Sequence, residues 1–127
     1  MKALRILLVE DDPMIGPLLA DVLRDMGHDV CAIEVTEEAA VTAFTHYRPE
    51  LVIADARLGA GSGISTIDEI LRIRFVPHLF ITGNFSRVKP LRPDAVILAK
   101  PFSEAGLSLA IQRALDVVAV PSWAEWA

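Results

Sequence analysis

The sequence predicts an α/β domain in which helices cover both faces of a parallel sheet. Three observations carry that expectation. The chain has 127 residues, which is room for one domain. Hydrophobic residues make up 53% of it, enough to bury both faces of a sheet rather than one. Five short apolar runs alternate with stretches of helical periodicity, the order expected when crossover helices join parallel strands.

The first run is Leu4 to Val9, broken only by Arg5, and it is continuous rather than alternating, as in a strand buried on both sides. It ends in Glu10-Asp11-Asp12-Pro13. Proline is tolerated in the first turn of a helix, and an acid just ahead of it caps free N–H groups; Asp12 is the candidate cap. Ile15, Leu18, Leu19, Val22, Leu23 and Met26 follow at helical spacing, and Gly27 stops the helix. Asp29 to Val35 reads as a second strand. Thr36 is placed to cap a helix with Ala39, Ala40, Ala43, Phe44 and Tyr47 on its apolar side, and Pro49 ends it.

Leu51-Val52-Ile53-Ala54 is the third strand, stopping at Asp55. Gly59-Ala60-Gly61-Ser62-Gly63 reads as a loop, and Ile64, Ile67, Ile70 and Leu71 continue as a helix. Leu79-Phe80-Ile81 is the fourth strand and leads into Thr82-Gly83. Val96 to Ala99 is the fifth and leads into Lys100-Pro101. Leu107, Ile111, Ala114, Leu115 and Val118 form the last helix. Residues 83–95 break the pattern: with Gly83, Pro90 and Pro93 and little periodicity they allow one or two helical turns, so the fourth helix is expected to be short, irregular or disordered. The domain is expected over residues 1–120, with a short tail at 121–127 that carries Trp123 and Trp126 and meets either the domain or a partner.

Composition narrows the function. The balance of 12 basic against 17 acidic residues gives a net charge of −5, which argues against a nucleic-acid surface. No apolar run is long enough to span a membrane, and the start of the chain lacks a secretory cleavage site, so a cytoplasmic location is expected. Cys31 is the single cysteine and reads as a small buried hydrophobe; it has no disulfide partner within the chain. His28, His46 and His78 share no spacing and read as surface or turn residues.

In an open parallel sheet, reactive groups collect at the carboxyl ends of the strands. Here those positions hold Glu10 and Asp11 after the first strand, Asp55 after the third, Thr82 after the fourth and Lys100 after the fifth. Three converging carboxylates repel one another and call for a cation. Oxygen donors without imidazole or thiolate suit Mg²⁺. Asp11 and Asp55 are the expected direct ligands, Glu10 acts through a water, and the backbone carbonyl of Arg57 adds an oxygen. An Asp55 oxygen is then a nucleophile for phosphorus, with Lys100 pairing one phosphoryl oxygen and Thr82 donating to another. The added charge draws in Thr82 and Lys100 and shifts the loops that carry them.

These residues resemble a response-regulator receiver (CheY-like) domain of two-component signalling. The resemblance rests on Leu7-Leu8-Val9-Glu10-Asp11-Asp12-Pro13, Leu51-Val52-Ile53-Ala54-Asp55, Gly61-Ser62-Gly63, Ile81-Thr82-Gly83 and Lys100-Pro101-Phe102, and spans residues 4 to about 118. It implies a doubly wound (βα)₅ fold with strand order 2-1-3-4-5. It also implies Mg²⁺-dependent transfer of a phosphoryl group to Asp55 from a sensor histidine kinase or a histidine phosphotransfer protein. A cis peptide bond before Pro101 is a further implication.

The sequence departs from the family pattern in three places. Ile97 stands three residues before the lysine, where the family's switch partner of the threonine is Tyr or Phe. Gly59 stands where proline is common. The fourth unit is curtailed, and Phe80-Ile81-Thr82-Gly83-Asn84 is similar to a stand-alone subgroup with Phe-Ala-Thr-Gly-Tyr-Gly, from which Asn84 and Phe85 differ.

The chain is thus expected to catalyse its own aspartyl phosphorylation and dephosphorylation without being a turnover enzyme. About nine residues follow the last helix, so output is expected through a downstream protein partner, with homodimerisation left open. The alternatives are a phosphorylation-independent interaction module that keeps the fold, a phosphate sink or relay, and a hydrolase using Asp55 transiently, for which no second acid–base pair or substrate-capping insertion is visible in the sequence.

Overall fold

A computed structural model describes residues 2–59 and 61–117. Val118, Trp123, Trp126 and the rest of the 121–127 tail lie outside the described residues, as does Ala60. The order of elements is β1 (Arg5–Val9), α1 (Ile15–Asp25), β2 (Asp29–Glu34), α2 (Glu37–Tyr47), β3 (Leu51–Asp55), β4 (Arg57–Leu58), β5 (Gly61–Ser62), α3 (Gly63–Ile73), β6 (His78–Thr82), α4 (Phe85–Val88), β7 (Ile97–Ala99) and α5 (Glu104–Asp116). Five strands form one sheet in the order β2-β1-β3-β6-β7, parallel throughout. Without the small β4-β5 ribbon in the count, that is the expected order 2-1-3-4-5.

Continuous apolar runs arise because successive side chains of a strand point to opposite faces, and here both faces are covered. Ile6 and Leu8 of β1, Leu51 and Ile53 of β3, and Leu79 and Ile81 of β6 join Leu19 and Leu23 of α1 and Leu107 and Ile111 of α5. The intervening Leu7, Val9, Val52, Ala54 and Phe80 join Ala40 and Phe44 of α2 and Ile67 and Ile70 of α3. Phe44 is fully buried, and the Arg74 guanidinium lies 4.4 Å from its ring centroid.

The expected stop and start signals act locally. Asp12 Oδ1 accepts from the N–H groups of Met14 at 2.8 Å and Ile15 at 3.2 Å, closing the turn ahead of α1. Thr36 Oγ1 accepts from Ala39 N at 3.2 Å, and α2 ends at Arg48, which takes a left-handed conformation just before Pro49. Cys31 is half-buried rather than fully buried. It sits where the β1–β2 register shifts, and its thiol donates to the Ile6 carbonyl at 3.3 Å.

Two further expectations need correction. The 59–63 stretch is not simply a loop. Gly61–Ser62 pairs antiparallel with Arg57–Leu58, and Gly63 is the first residue of α3. Gly63 is required there by close approach, because a Cβ on it would lie 1.8 Å from the Asp55 carbonyl oxygen. His28 is not a surface residue. It is buried at the β2 entry, its Nδ1 accepting from Leu4 N at 3.1 Å. A core-edge imidazole leaves no periodic trace in a sequence, which is why only the turn after Gly27 was legible.

The fourth unit is short. The helix α4 has four residues, and its side of the fold is completed by turns through residues 89–95. Arg92 ties this segment to α3 through an ion pair with Asp68.

Candidate functional site

The carboxyl ends of β1, β3, β6 and β7 open into a cleft of about 960 Å³. Its lining includes Glu10, Asp11, Asp55, Thr82 and Lys100, so the topology brings together all five residues singled out at the strand ends. Asp55 is the last residue of β3 and Thr82 the last of β6. Lys100 follows β7, its backbone N–H donating to the Thr82 carbonyl at 2.8 Å, and the Lys100–Pro101 peptide bond is cis.

Asp55 is held at both oxygens. Its Oδ1 accepts from Arg57 N at 2.9 Å, and its Oδ2 accepts from Lys100 Nζ at 2.6 Å. The same ammonium lies 3.6 Å from Glu10 Oε1. Burial opposes charging Lys100, but the hydrogen bond and charge of Asp55, reinforced by Glu10, outweigh it and raise its pKa, so Lys100 stays an ammonium. Glu10 is only 4% exposed. Burial first, then its contact with Asp55, pushes its carboxyl up to about 7, against the downward pull of the Asp12 N–H and Lys100. Asp11 Oδ2 accepts from Gly59 N at 2.6 Å. Thr82 is buried, and its hydroxyl oxygen accepts from Asn84 N at 2.9 Å, which leaves the hydroxyl hydrogen to donate elsewhere.

Among the described residues, no three ligating side chains converge closely enough to hold a metal ion as they stand. Lys100 supplies the positive charge between Glu10 and Asp55 instead. The donors nonetheless fit a hard cation. They are oxygens alone, and Glu10 bears a burial cost in its charged form that a cation between the carboxylates would offset.

The structure also adds what the sequence did not signal. The Arg57 N–H is one such addition, since it orients Asp55. Gly59 reaches Asp11, and Arg87, Val88 and Leu91 from the curtailed fourth unit form the far wall of the cleft. Only the glycine run at 59–63 hinted at the first group. Ile97 is half-buried, paired in register with Phe80 and packed against the α2–α3 core.

Comparison with known proteins places these features in one family. The family model for the response regulator receiver domain matches residues 6–112. The phyllosphere-induced regulator PhyR of Methylorubrum extorquens is 37% identical over 117 residues, covering 89% of this chain and 44% of that protein. The transcriptional regulatory protein PdtaR of Mycobacterium tuberculosis is 31% identical over 116 residues, covering 88% of this chain and 57% of that one. The chain therefore spans about half the length of these curated relatives. Among solved structures, the receiver domain of PhyR from Erythrobacter litoralis superposes with a TM-score of 0.83 at 34% identity, covering 96% of this chain and 97% of that one. SdrG from Sphingomonas melonis superposes with a TM-score of 0.76 at 28% identity, covering 91% of this chain and 99% of that one.

Proposed function

The chain belongs to the response regulator receiver domain family, the phospho-accepting domains of two-component signalling, and we propose that Asp55 is its acceptor. The observation that carries this reading is the contact between Lys100 Nζ and Asp55 Oδ2 at 2.6 Å, beside two further carboxylates at the carboxyl edge of the sheet. An isolated ion pair at a surface needs no such company. A phosphoryl-accepting centre needs a nucleophile, a cation for the phosphoryl oxygens and a hydroxyl donor within one cleft.

In the proposed reaction an Asp55 oxygen attacks phosphorus as the P–N bond of a donor phosphohistidine breaks, and the imidazole leaves with the bonding pair. Arg57 N–H keeps Asp55 in one rotamer by its contact with Oδ1. Lys100 moves from the carboxylate to a phosphoryl oxygen, and the free hydrogen of Thr82 donates to another. Receiver domains generally bind Mg²⁺ for this step, and here Asp11 and Asp55, with Glu10 through water and the Arg57 carbonyl, are the proposed donors. When bound, the ion neutralises charge on the carboxylates and on the phosphoryl group.

Ile97 has no ring to swing inward, so the switch is proposed to run through Thr82 and the short segment after it. The donor is a sensor histidine kinase or a histidine phosphotransfer protein, and the output is binding of a downstream protein partner. A solved relative from Bartonella quintana is described as an anti-anti-sigma factor, which makes a protein partner, rather than DNA, the output to seek first. No helix among the described residues is long and apolar enough to cross a membrane.

The test is incubation of the full chain with acetyl phosphate and Mg²⁺, followed by intact-mass measurement. The expected result is one phosphoryl adduct, labile to hydroxylamine and absent in Asp55→Asn. No adduct from a small donor or from a cognate kinase would leave the phosphorylation-independent partner module as the reading.

A further inference from the structure

The carboxylates of Glu10, Asp11, Asp12 and Asp55 line the cleft, and so do the cations Lys100, Arg57 and Arg87. A phosphoryl donor is itself an anion, so it enters against the charge of the carboxylates. Lys100 is already engaged, by Asp55 at 2.6 Å and Glu10 at 3.6 Å. The other cations of the curtailed fourth unit are engaged too: Lys89 Nζ donates to the Pro93 carbonyl, and Arg92 pairs with Asp68. The Arg87 guanidinium differs. It is exposed in the far wall of the cleft and makes no hydrogen bond or ion pair among the described residues. Its backbone is tied to Thr82. Arg87 N donates to the Asn84 carbonyl at 3.2 Å, and Asn84 N donates to Thr82 Oγ1 at 2.9 Å.

We propose that Arg87 is a further phosphoryl-binding residue: its guanidinium takes up the incoming phosphoryl group at the mouth of the cleft, alongside Lys100 and Thr82. The proposal rests on the reading of Asp55 as the acceptor. An ammonium offers a phosphoryl oxygen a point charge, whereas the planar fork of a guanidinium matches an edge of the phosphoryl group. The hydrogen-bonded path from Thr82 through Asn84 supports the assignment. When Thr82 donates its hydrogen to a phosphoryl oxygen, its oxygen still accepts from Asn84 N, so the turn that carries Arg87 stays attached to the threonine as it moves. The covalent step is unaltered: an Asp55 oxygen bonds to phosphorus, the bond to the donor's leaving group breaks, and that group keeps the electron pair. Because Arg87 is exposed, water and salt screen it, and its effect is severalfold rather than the several orders of magnitude of an arginine sealed against phosphate.

The test measures the initial rate of adduct formation by intact mass, with the full chain, Mg²⁺ and subsaturating acetyl phosphate. It compares wild type with Arg87→Gln, Arg87→Lys and Arg113→Gln. Arg113 is the charge control: it is exposed in the last turn of α5, outside the cleft, and has no ion pair among the described residues. The expected result is a rate about three- to tenfold lower in Arg87→Gln. Arg87→Lys is expected between the two, since it keeps the charge and loses the fork. Arg113→Gln is expected within about twofold of wild type. The Arg87→Gln deficit is expected to shrink as ionic strength rises from about 0.05 M to about 0.5 M, because salt screens the attraction that the variant lacks.

An Arg87→Gln rate within about twofold of wild type overturns the proposal. So does an equal loss in Arg113→Gln, which would assign the effect to net charge, and so does an Arg87→Lys chain as slow as Arg87→Gln. A deficit that persists unchanged at high salt also overturns it, since a displaced α4 turn, unlike a missing charge, is not screened. Wild type that forms no adduct removes Asp55 as the acceptor and this proposal with it, an outcome distinct from an acceptor that works equally well without Arg87.

Discussion

Replacing Gly63 by alanine tests whether the first turn of α3 and the acceptor strand are packed as tightly as the geometry states. The new methyl would lie 1.8 Å from the Asp55 carbonyl oxygen, 2.8 Å from its carbonyl carbon and 3.3 Å from Ala56 Cα. A carbon and an oxygen rest at about 3.3 Å, so the two backbones must separate by roughly 1.5 Å, and neither is a flexible side chain that can swing away. The separation also strains the hydrogen bond from Gly63 N to the Ala56 carbonyl, now 3.1 Å.

Overpacking of this kind costs about 1–3 kcal/mol, and contact with two rigid backbones puts Gly63→Ala toward the upper end. For a domain of this size a loss of about 2–3 kcal/mol lowers Tm by roughly 6–15 °C. Gly83→Ala is the control, because a methyl there meets nothing within 4 Å, and its expected effect is within about 0.5 kcal/mol. The assay is urea denaturation of both variants, together with the initial rate of adduct formation from acetyl phosphate. Gly63→Ala is expected to be less stable and also slower, because Asp55 moves with its own carbonyl. A Gly63→Ala chain as stable and as reactive as wild type would refute the close approach and the reasoning built on it.

Two further outcomes follow from buried groups on the scaffold. Burial lowers the pKa of His28 from its ordinary 6.5, with the amino terminus adding to the effect. The unfolded chain therefore takes up a proton near pH 6.5 that the folded chain resists, and stability falls as the pH drops below about 6.5. His28→Asn keeps an acceptor for Leu4 N–H, and urea midpoints from pH 5 to 7.5 are expected to lose this slope; an identical slope in the variant rules His28 out as its source. Phe44→Ala empties a fully buried position and removes the ring beneath Arg74. Its expected cost is about 3–5 kcal/mol by chemical denaturation, and a loss under about 1 kcal/mol would mean that α2 does not anchor that face.

Much of the fold was legible because its signals are local. The β1 and β3 runs read as continuous apolar stretches since both of their faces are buried, and Asp12, Thr36 and Pro49 act within a turn of where they stand. The curtailed fourth unit was legible for the same reason, since Gly83, Pro90 and Pro93 deny it helical continuity. His28 was not legible, because its burial depends on the Leu4 backbone, which is remote in sequence. The β4-β5 ribbon was masked by glycines that composition assigns to a loop. The strand-end residues could be named from the sequence alone, since a parallel sheet sends the ends of its strands to one edge.

The sequence by itself determined which groups reach that edge: Glu10, Asp11, Asp55, Thr82 and Lys100 each follow a buried run, and strand polarity does the rest. Only the tertiary structure decided how they meet. That Lys100 bridges Asp55 and Glu10, that burial lifts the Glu10 carboxyl, and that Gly59 and Gly63 press against Asp11 and Asp55 depend on distances between segments far apart in the chain. Periodicity and capping act over a few residues and are written in the order of the amino acids. Charge coupling and close backbone approach vary steeply with separations of an ångström or less, and those separations are set by the packing of the whole sheet between its helices.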